Sequence, residues 1–340
     1  MKRYLDFVIG ILLTIVLAVI SSVFSDLVPG GLIGAGVFAM LIGMALHPLV
    51  VRCNVSMEGV QFVGKKVLKA AIVLMGAALS FTQVLQVGRY SLIVMCFTLA
   101  AAFGFGNLLG RVFHINWKLS NLISAGTGIC GGSAIAAISP TIEAEDRDVA
   151  YAISATFLFD IAMVILFPIM GRYFGMSDMG FGLWAGTAVN DTSSVVAAGY
   201  AFSDAAGNYA MIVKLTRTLS IVPVVLIFSF VHQRIKAKAG AVEAGSTSVG
   251  VSLTKIFPWF IVLFLGMVGL RSLGLITPQV GDVFSQISKF LMVMALGAIG
   301  LKTDFRQVAK SGFLPMVHGF LISTIVIVVS FLAQLLLGQM

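Results

Sequence analysis

Charge is what this chain has least of. Only 11% of its 340 residues are Asp, Glu, Lys or Arg, against the roughly 25% of an ordinary soluble domain, and this excludes a conventional water-soluble fold. Cysteine is nearly absent. Cys53, Cys96 and Cys130 stand in apolar surroundings and are too few for a disulfide framework or a zinc site, so they read as small buried residues. No Walker-type phosphate loop occurs, which removes ATP as a direct energy source. Long polar stretches are missing too, apart from 232–255, where His232, Arg234, Lys236 and Lys238 precede a Gly/Ser-rich run ending at Lys255. That stretch reads as a loop joining two halves, 1–231 and 256–340, of one membrane unit.

What remains is carbon. Hydrophobic residues make up 59% of the chain and the mean hydropathy is +1.05. With about 20 residues needed to cross a bilayer, apolar segments fall near 5–25, 31–50, 67–86, 90–110, 119–139, 149–170, 180–200, 208–231, 256–271, 286–302 and 312–337. The expected fold is an all-α polytopic membrane protein of about eleven segments. Lys2 and Arg3 before the first segment imitate a signal peptide, but ten further segments favour a retained span. The net charge of +8 does not indicate nucleic acid, because the bases sit at segment ends instead of on a soluble face.

Cytoplasmic loops are enriched in Lys and Arg. Placing the N-terminus inside a bacterial-type cytoplasmic membrane puts sixteen bases on that side and leaves Arg89, Arg147, Arg271 and Lys289 outside. The C-terminus is then external. Segments 119–139 and 180–200 either cross or re-enter; re-entry of both exchanges Arg147 and Arg172 between sides, so the charge rule gives nine crossings or eleven equally well.

Two self-similarities suggest internal repeats. A shift of 60 places Ala125-Gly126-Thr127 on Ala185-Gly186-Thr187 and Ser133 on Ser193, while a shift of 224 aligns Gly76, Phe81, Gln83, Val84 and Gly88 with Gly300, Phe305, Gln307, Val308 and Gly312. The second relation pairs segments of opposite direction, as in transporters built from inverted repeats.

Four glycines, Gly126, Gly128, Gly131 and Gly132, interrupt the fifth segment. Each mid-helix glycine costs roughly 1 kcal/mol relative to alanine, and irregular backbone inside a membrane persists only where protein covers it or it lines a polar cavity. The seventh segment carries the polar run Thr187-Ala-Val-Asn190-Asp191-Thr192-Ser193-Ser194. These two broken helices are the expected solute site. Charges inside spans cost at least about 2.5–3.5 kcal/mol at the helix centre and are functional by default. Four qualify: Asp160, Asp191, Lys214 and Arg217. Lys214 and Arg217, three apart, share a helix face and favour an anion; equally, two acids and two bases neutralise one another. Asp191, with Asp160, is the expected ion-coupling group. Thr127, Ser133, Thr187, Thr192, Ser193 and Thr216 would complete a hydrogen-bonding cage around the substrate, or simply pack between helices. Pro140, Pro168, Pro223 and Pro315 bend or end segments.

At Gly126-Thr-Gly-Ile-Cys-Gly-Gly-Ser-Ala-Ile-Ala-Ala137, Asn190-Asp-Thr-Ser-Ser-Val-Val-Ala-Ala-Gly199 and Lys214-Leu-Thr-Arg217 the chain resembles the YeiH-like family of sulfate exporters, along essentially its whole length. That family looks like a branch of the group containing cation/proton antiporters and bile-acid-type symporters. The resemblance implies two inverted bundles, a core with broken helices, an elevator-like movement against a scaffold, and a homodimer. One departure matters: the family often has His before the aspartate and Gln three after it, where this chain has Asn190 and Ser194. The pair Asn190-Asp191 instead looks like the dyad of some cation/proton antiporters.

The leading expectation is a secondary transporter exporting a small inorganic or sulfur-containing anion by alternating access. It needs no cofactor beyond Na+ or H+ as coupling ion, and its partners are the anion and the bilayer. A sodium/proton antiporter using Asp191 is the alternative, and a channel a further one. An intramembrane serine protease is the remote one, requiring Ser133 and His318 within hydrogen-bond reach.

Overall fold

The computed structural model describes residues 2–27, 35–52, 57–238, 259–303 and 312–339. Among the described residues every regular element is helical. The apolar run after the N-terminus forms α1 (Lys2–Leu27), followed by α2 (Ala35–Arg52). The next path, α3 (Met57–Phe62) and α4 (Leu68–Met75), is joined by a π-turn at Val63–Val67 and ended by a 3-10 turn at Gly76–Ala78. Ser80 then starts α5 (Phe81–Val112) through a capping box with Gln83, satisfying two of the amide donors left over at a helix start.

The fifth segment is α6 (Trp117–Ala125), a π-turn at Gly126–Cys130 and α7 (Gly132–Ile138). Then come α8 (Asp146–Tyr173), α9 (Asp178–Ala188), α10 (Thr192–Phe202), α11 (Asp204–Thr218) and α12 (Ile221–Lys238). The chain closes with α13 (Trp259–Ser272), α14 (Pro278–Lys302) and α15 (Phe313–Leu336). Among the described residues seven helical stretches are long and apolar enough to cross a membrane, with α11 and α12 acting as one, Asp204–Ile235.

Both broken segments fold back. Lys118 Nζ donates to the carbonyl of Glu143 at 2.6 Å, so the far ends of the α6/α7 unit lie together, and a Cβ built on Gly126 would stand 2.8 Å from the Ile135 side chain. Likewise Ser203 Oγ donates to the Asp178 carboxylate at 2.5 Å, and the rings of Phe181 and Phe202 stack at 4.1 Å, closing the base of the α9/α10 unit. Between them α8, with 28 residues, covers about 42 Å at roughly 1.5 Å per residue. The two hairpins therefore enter from opposite ends of the molecule and meet tip to tip beside the midpoint of α8.

Phe7 packs on Gly59, which puts the N-terminus at the end holding the base of the first hairpin. The base of the second hairpin, the Phe81 amide bonded to Ser272 Oγ at 2.8 Å, and the C-terminal part of α15 lie at the other. Of the eleven apolar segments, two are thus folded-back pairs, and Arg147 and Arg172 exchange ends relative to an all-crossing path. Arg172 lies at the second hairpin's base, donating to the Ala201 carbonyl at 2.9 Å.

The 60-residue self-similarity corresponds to these hairpins: it carries Gly132 onto Thr192, the first residues of α7 and α10, and relates units of opposite direction. The 224-residue relation falls partly on Phe305, Gln307 and Val308, outside the described residues, as do Cys53 and positions 239–255 of the joining loop; the first part of that expected loop, 232–238, instead continues α12 as helix. Cys130 is buried as expected, whereas Cys96 is exposed on α5. The helices form two bodies. One holds α1–α4, α13 and α14; the other holds the hairpins with α5, α8, α11, α12 and α15.

Candidate functional site

The first hairpin turns at Gly131, whose φ of +64° and ψ of −134° lie in a region essentially restricted to glycine. A Cβ there would also stand 3.2 Å from both Cβ and Oδ1 of Asp191, so this glycine is where the two tips touch. Gly131→Ala is expected to cost about 1–3 kcal/mol from backbone strain and to push the tips apart; a melting temperature equal to that of the parent protein would contradict the contact. In the second hairpin α9 ends at Ala188, Val189 is extended, and Asp191 caps α10 by accepting from the Ser193 amide at 2.9 Å. The Ser193 hydroxyl donates to the same carboxylate oxygen.

Broken helices leave carbonyls unpaired at their C-terminal ends and amides at their N-terminal ends. Here buried charges take both. Arg217 Nε donates to Gly128 O at 2.6 Å, and its two other nitrogens donate to Thr127 O and Thr187 O. Lys214 Nζ donates to Ile129 O and Val189 O, each at 3.0 Å, and to Asn190 O. Six carbonyls from both hairpins are thereby satisfied, and all three ammonium protons of Lys214 are engaged. Asp160 does the converse: its two carboxylate oxygens accept from the amides of Asn190 and Asp191, both at 2.8 Å. Cations at helix C-termini and an anion at an N-terminus is the pairing the helix dipole favours. Lys214 and Arg217 are completely buried and Asp160 is 1% exposed.

A cavity of about 760 Å³ lies between the two bodies. Its floor is made of the hairpin tips, Gly131, Gly132, Ser133, Asp191, Thr192 and Ser193, with Asp160 of α8. Lys65, Lys66, Lys69 and Lys302 line it from the opposite body, and carbon surface from Phe157 and Phe260 faces it as well. All these walls extend from the tips toward the N-terminal end. On the other side of the tips the bodies are joined: Lys289 of α14 is 2.7 Å from the Asp204 carboxylate, and Tyr200 Oη donates to Met75 Sδ at 3.1 Å.

The residues singled out in the sequence divide into two sets. Gly131, Gly132, Ser133, Thr192, Ser193, Asp160 and Asp191 reach the cavity. Gly126, Thr127, Gly128, Thr187, Asn190, Lys214 and Arg217 lie fully buried behind the floor. In particular the basic pair, expected to face an anion, is turned onto backbone. Its charge is met by carbonyl dipoles because the breaks expose those dipoles within a lysine's or arginine's reach. Asn190 points away from Asp191, donating from Nδ2 to Ser323 Oγ at 3.4 Å, and Thr127 Oγ1 meets the same hydroxyl at 3.4 Å. His318 pairs with Ser120 Oγ at 3.1 Å, whereas Ser133 stands on the cavity floor.

The cavity lysines escaped the sequence reading, which assigned them to topology. A signal existed: Lys65, Lys66 and Lys69 cluster at one-, three- and four-residue spacing inside a helical path, more than orientation alone demands. Lys65 and Lys66 lie in the π-turn at Val63–Val67, and with Lys69 they line the cavity.

Residues 9–319 match the family described as Conserved hypothetical protein 698. A "UPF0324 membrane protein" of Clostridium tetani is 64% identical over 336 residues, covering 97% of both chains. Relatives with the same family name in Streptococcus agalactiae and Streptococcus pyogenes are 38% and 40% identical, over 97% and 99% of each chain.

Proposed function

The chain belongs to the UPF0324 membrane protein family, and from that premise and the crossing of its hairpins we propose that it is a secondary active transporter of a small anion. One observation carries the reading: two oppositely entering hairpins form the floor of a cavity whose walls lie on one side of their tips, while side-chain contacts join the two bodies on the other. Such a floor is where a solute is held while two bodies move around it. Four lysines against two carboxylates give the lining a cationic balance, which favours an anion. Asp191, partly exposed at the tip, is the coupling group for H+ or Na+, and Asp160 holds the tip amides in place.

In this reading the lysine-rich N-terminal end faces the cytoplasm, the cavity loads there, and transport runs outward. Opening the opposite side breaks the Lys289–Asp204 and Tyr200–Met75 contacts. Lys214 and Arg217 are positioning residues that keep the tips together. The paired carboxylates at the floor favour one second reading, a sodium/proton antiporter in which Asp191 exchanges the two cations.

Counterflow of labelled sulfate, thiosulfate and methanesulfonate in proteoliposomes separates these. The proposal expects saturable anion flux, reduced by Lys65→Ala with Lys302→Ala. Two charges contributing about 1 kcal/mol each in a water-filled cavity amount to roughly 30-fold in flux at low substrate. Asp191→Asn is expected to leave flux indifferent to an imposed proton or sodium gradient. Absence of anion flux together with sodium-driven proton movement would transfer the assignment to the antiporter.

A further inference from the structure

The cavity is built for more than a bare oxyanion. A water molecule's share of liquid volume is about 30 Å³, so the tetrahedral head of an inorganic oxyanion leaves most of the 760 Å³ unfilled. That volume instead lies among the roughly 300–1,000 Å³ of sites enclosing multi-carbon ligands. The walls say the same chemically. Ile153 and Phe157 of α8 and Ile221 of α12 face the cavity from the hairpin body, while Ile72 and Phe260 face it from the other. A hydrated inorganic anion gains nothing from carbon walls, whereas an apolar group that covers them is driven there by the water it releases. The two kinds of surface also adjoin, since Lys69 Nζ lies 5.5 Å from the centroid of the Phe260 ring.

Resting on the anion reading above, we infer that this cavity takes an amphiphilic organic anion, a sulfonate or carboxylate carrying an apolar body of several carbons. The head lies against the lysines and the hairpin tips, and the body spans from Phe157 to Phe260, touching both halves of the molecule. Such a ligand distinguishes the cavity-open state from one in which the two bodies have moved apart, because only the first presents both rings at once. An anionic lipid displays the same chemistry, and the test separates it from a soluble substrate.

The full chain in phosphatidylcholine nanodiscs is titrated with sulfate, methanesulfonate, propanesulfonate and pentanesulfonate, with protein-free nanodiscs subtracted and pentanol as an uncharged control. The dissociation constant is expected to fall about fourfold for each added methylene. Phe260→Ala is expected to flatten that dependence, and a chain-length dependence as steep as the parent's would take the ring out of the recognition. Sulfate binding with no chain-length dependence overturns the inference and leaves the anion reading standing. No binding by any member of the series overturns both. Pentanol binding as tightly as pentanesulfonate removes the anionic head from the recognition, and loss of pentanesulfonate binding when phosphatidylglycerol is added to the nanodiscs gives the site to lipid.

Discussion

Replacing Arg217 by alanine is expected to cost about 3–5 kcal/mol, because each buried carbonyl left without a donor costs roughly 1–3 kcal/mol. Three carbonyls lose their donor at once, Thr127 and Gly128 on one hairpin and Thr187 on the other, in a region from which water is excluded. Domains have only about 5–15 kcal/mol in total, so little folded protein should survive detergent extraction. Arg217→Lys keeps the charge, but a single ammonium replaces a planar fork of five donors, and partial recovery is the expected result. Thermal unfolding followed by size-exclusion chromatography measures both. A variant that melts like the parent yet no longer binds anions would return the guanidinium to the substrate route.

Asp160→Ala carries an effect of similar size with the opposite sign of charge. It frees the amides of Asn190 and Asp191 and leaves the buried bases with one fewer counter-charge, so about 3–5 kcal/mol is again expected. Asp160→Asn is the milder test: one oxygen still accepts, while the new NH2 group confronts a backbone N–H, for about 2 kcal/mol. Amide hydrogen exchange reads this locally. Positions 190–193 should exchange roughly 30-fold faster, as the same free energy requires, while the base of the second hairpin near Asp178 and Ser203 stays protected. Unchanged exchange at the tip would mean the carboxylate does not hold it.

The two variants share a cause. Hairpins that stop halfway through a membrane expose the ends of four half-helices, and the molecule answers with side-chain charges in place of water. This explains why Lys214 and Arg217 looked like substrate ligands from their surroundings in the sequence. An intramembrane base must be paired with something, but a sequence does not distinguish a bound anion from a ring of carbonyls, since both supply negative potential. The same ambiguity governed Asn190, whose neighbour Asp191 reaches the cavity while its own amide turns toward Ser323 on α15.

Hydropathy determined the helical class and the approximate positions of most apolar segments, because segment length is dictated by bilayer thickness, but the expected segment 67–86 runs across the turn at 76–80, where one helical path ends and α5 begins. The glycine cluster at 126–132 and the polar run at 187–194 marked both breaks, because a helix loses its donors or its propensity there whatever surrounds it. Direction was another matter. Whether those segments crossed or returned depended on Lys118 reaching Glu143 and Asp178 reaching Ser203, contacts 25 residues apart in the chain that leave no periodic trace. The recruitment of Lys65, Lys66, Lys69 and Lys302 into one wall likewise came only with the packing of α14 against α3 and α4. Local propensity acts over a few residues and can be read in order; the meeting of two hairpin tips is a property of the space between helices, and tertiary structure alone sets it.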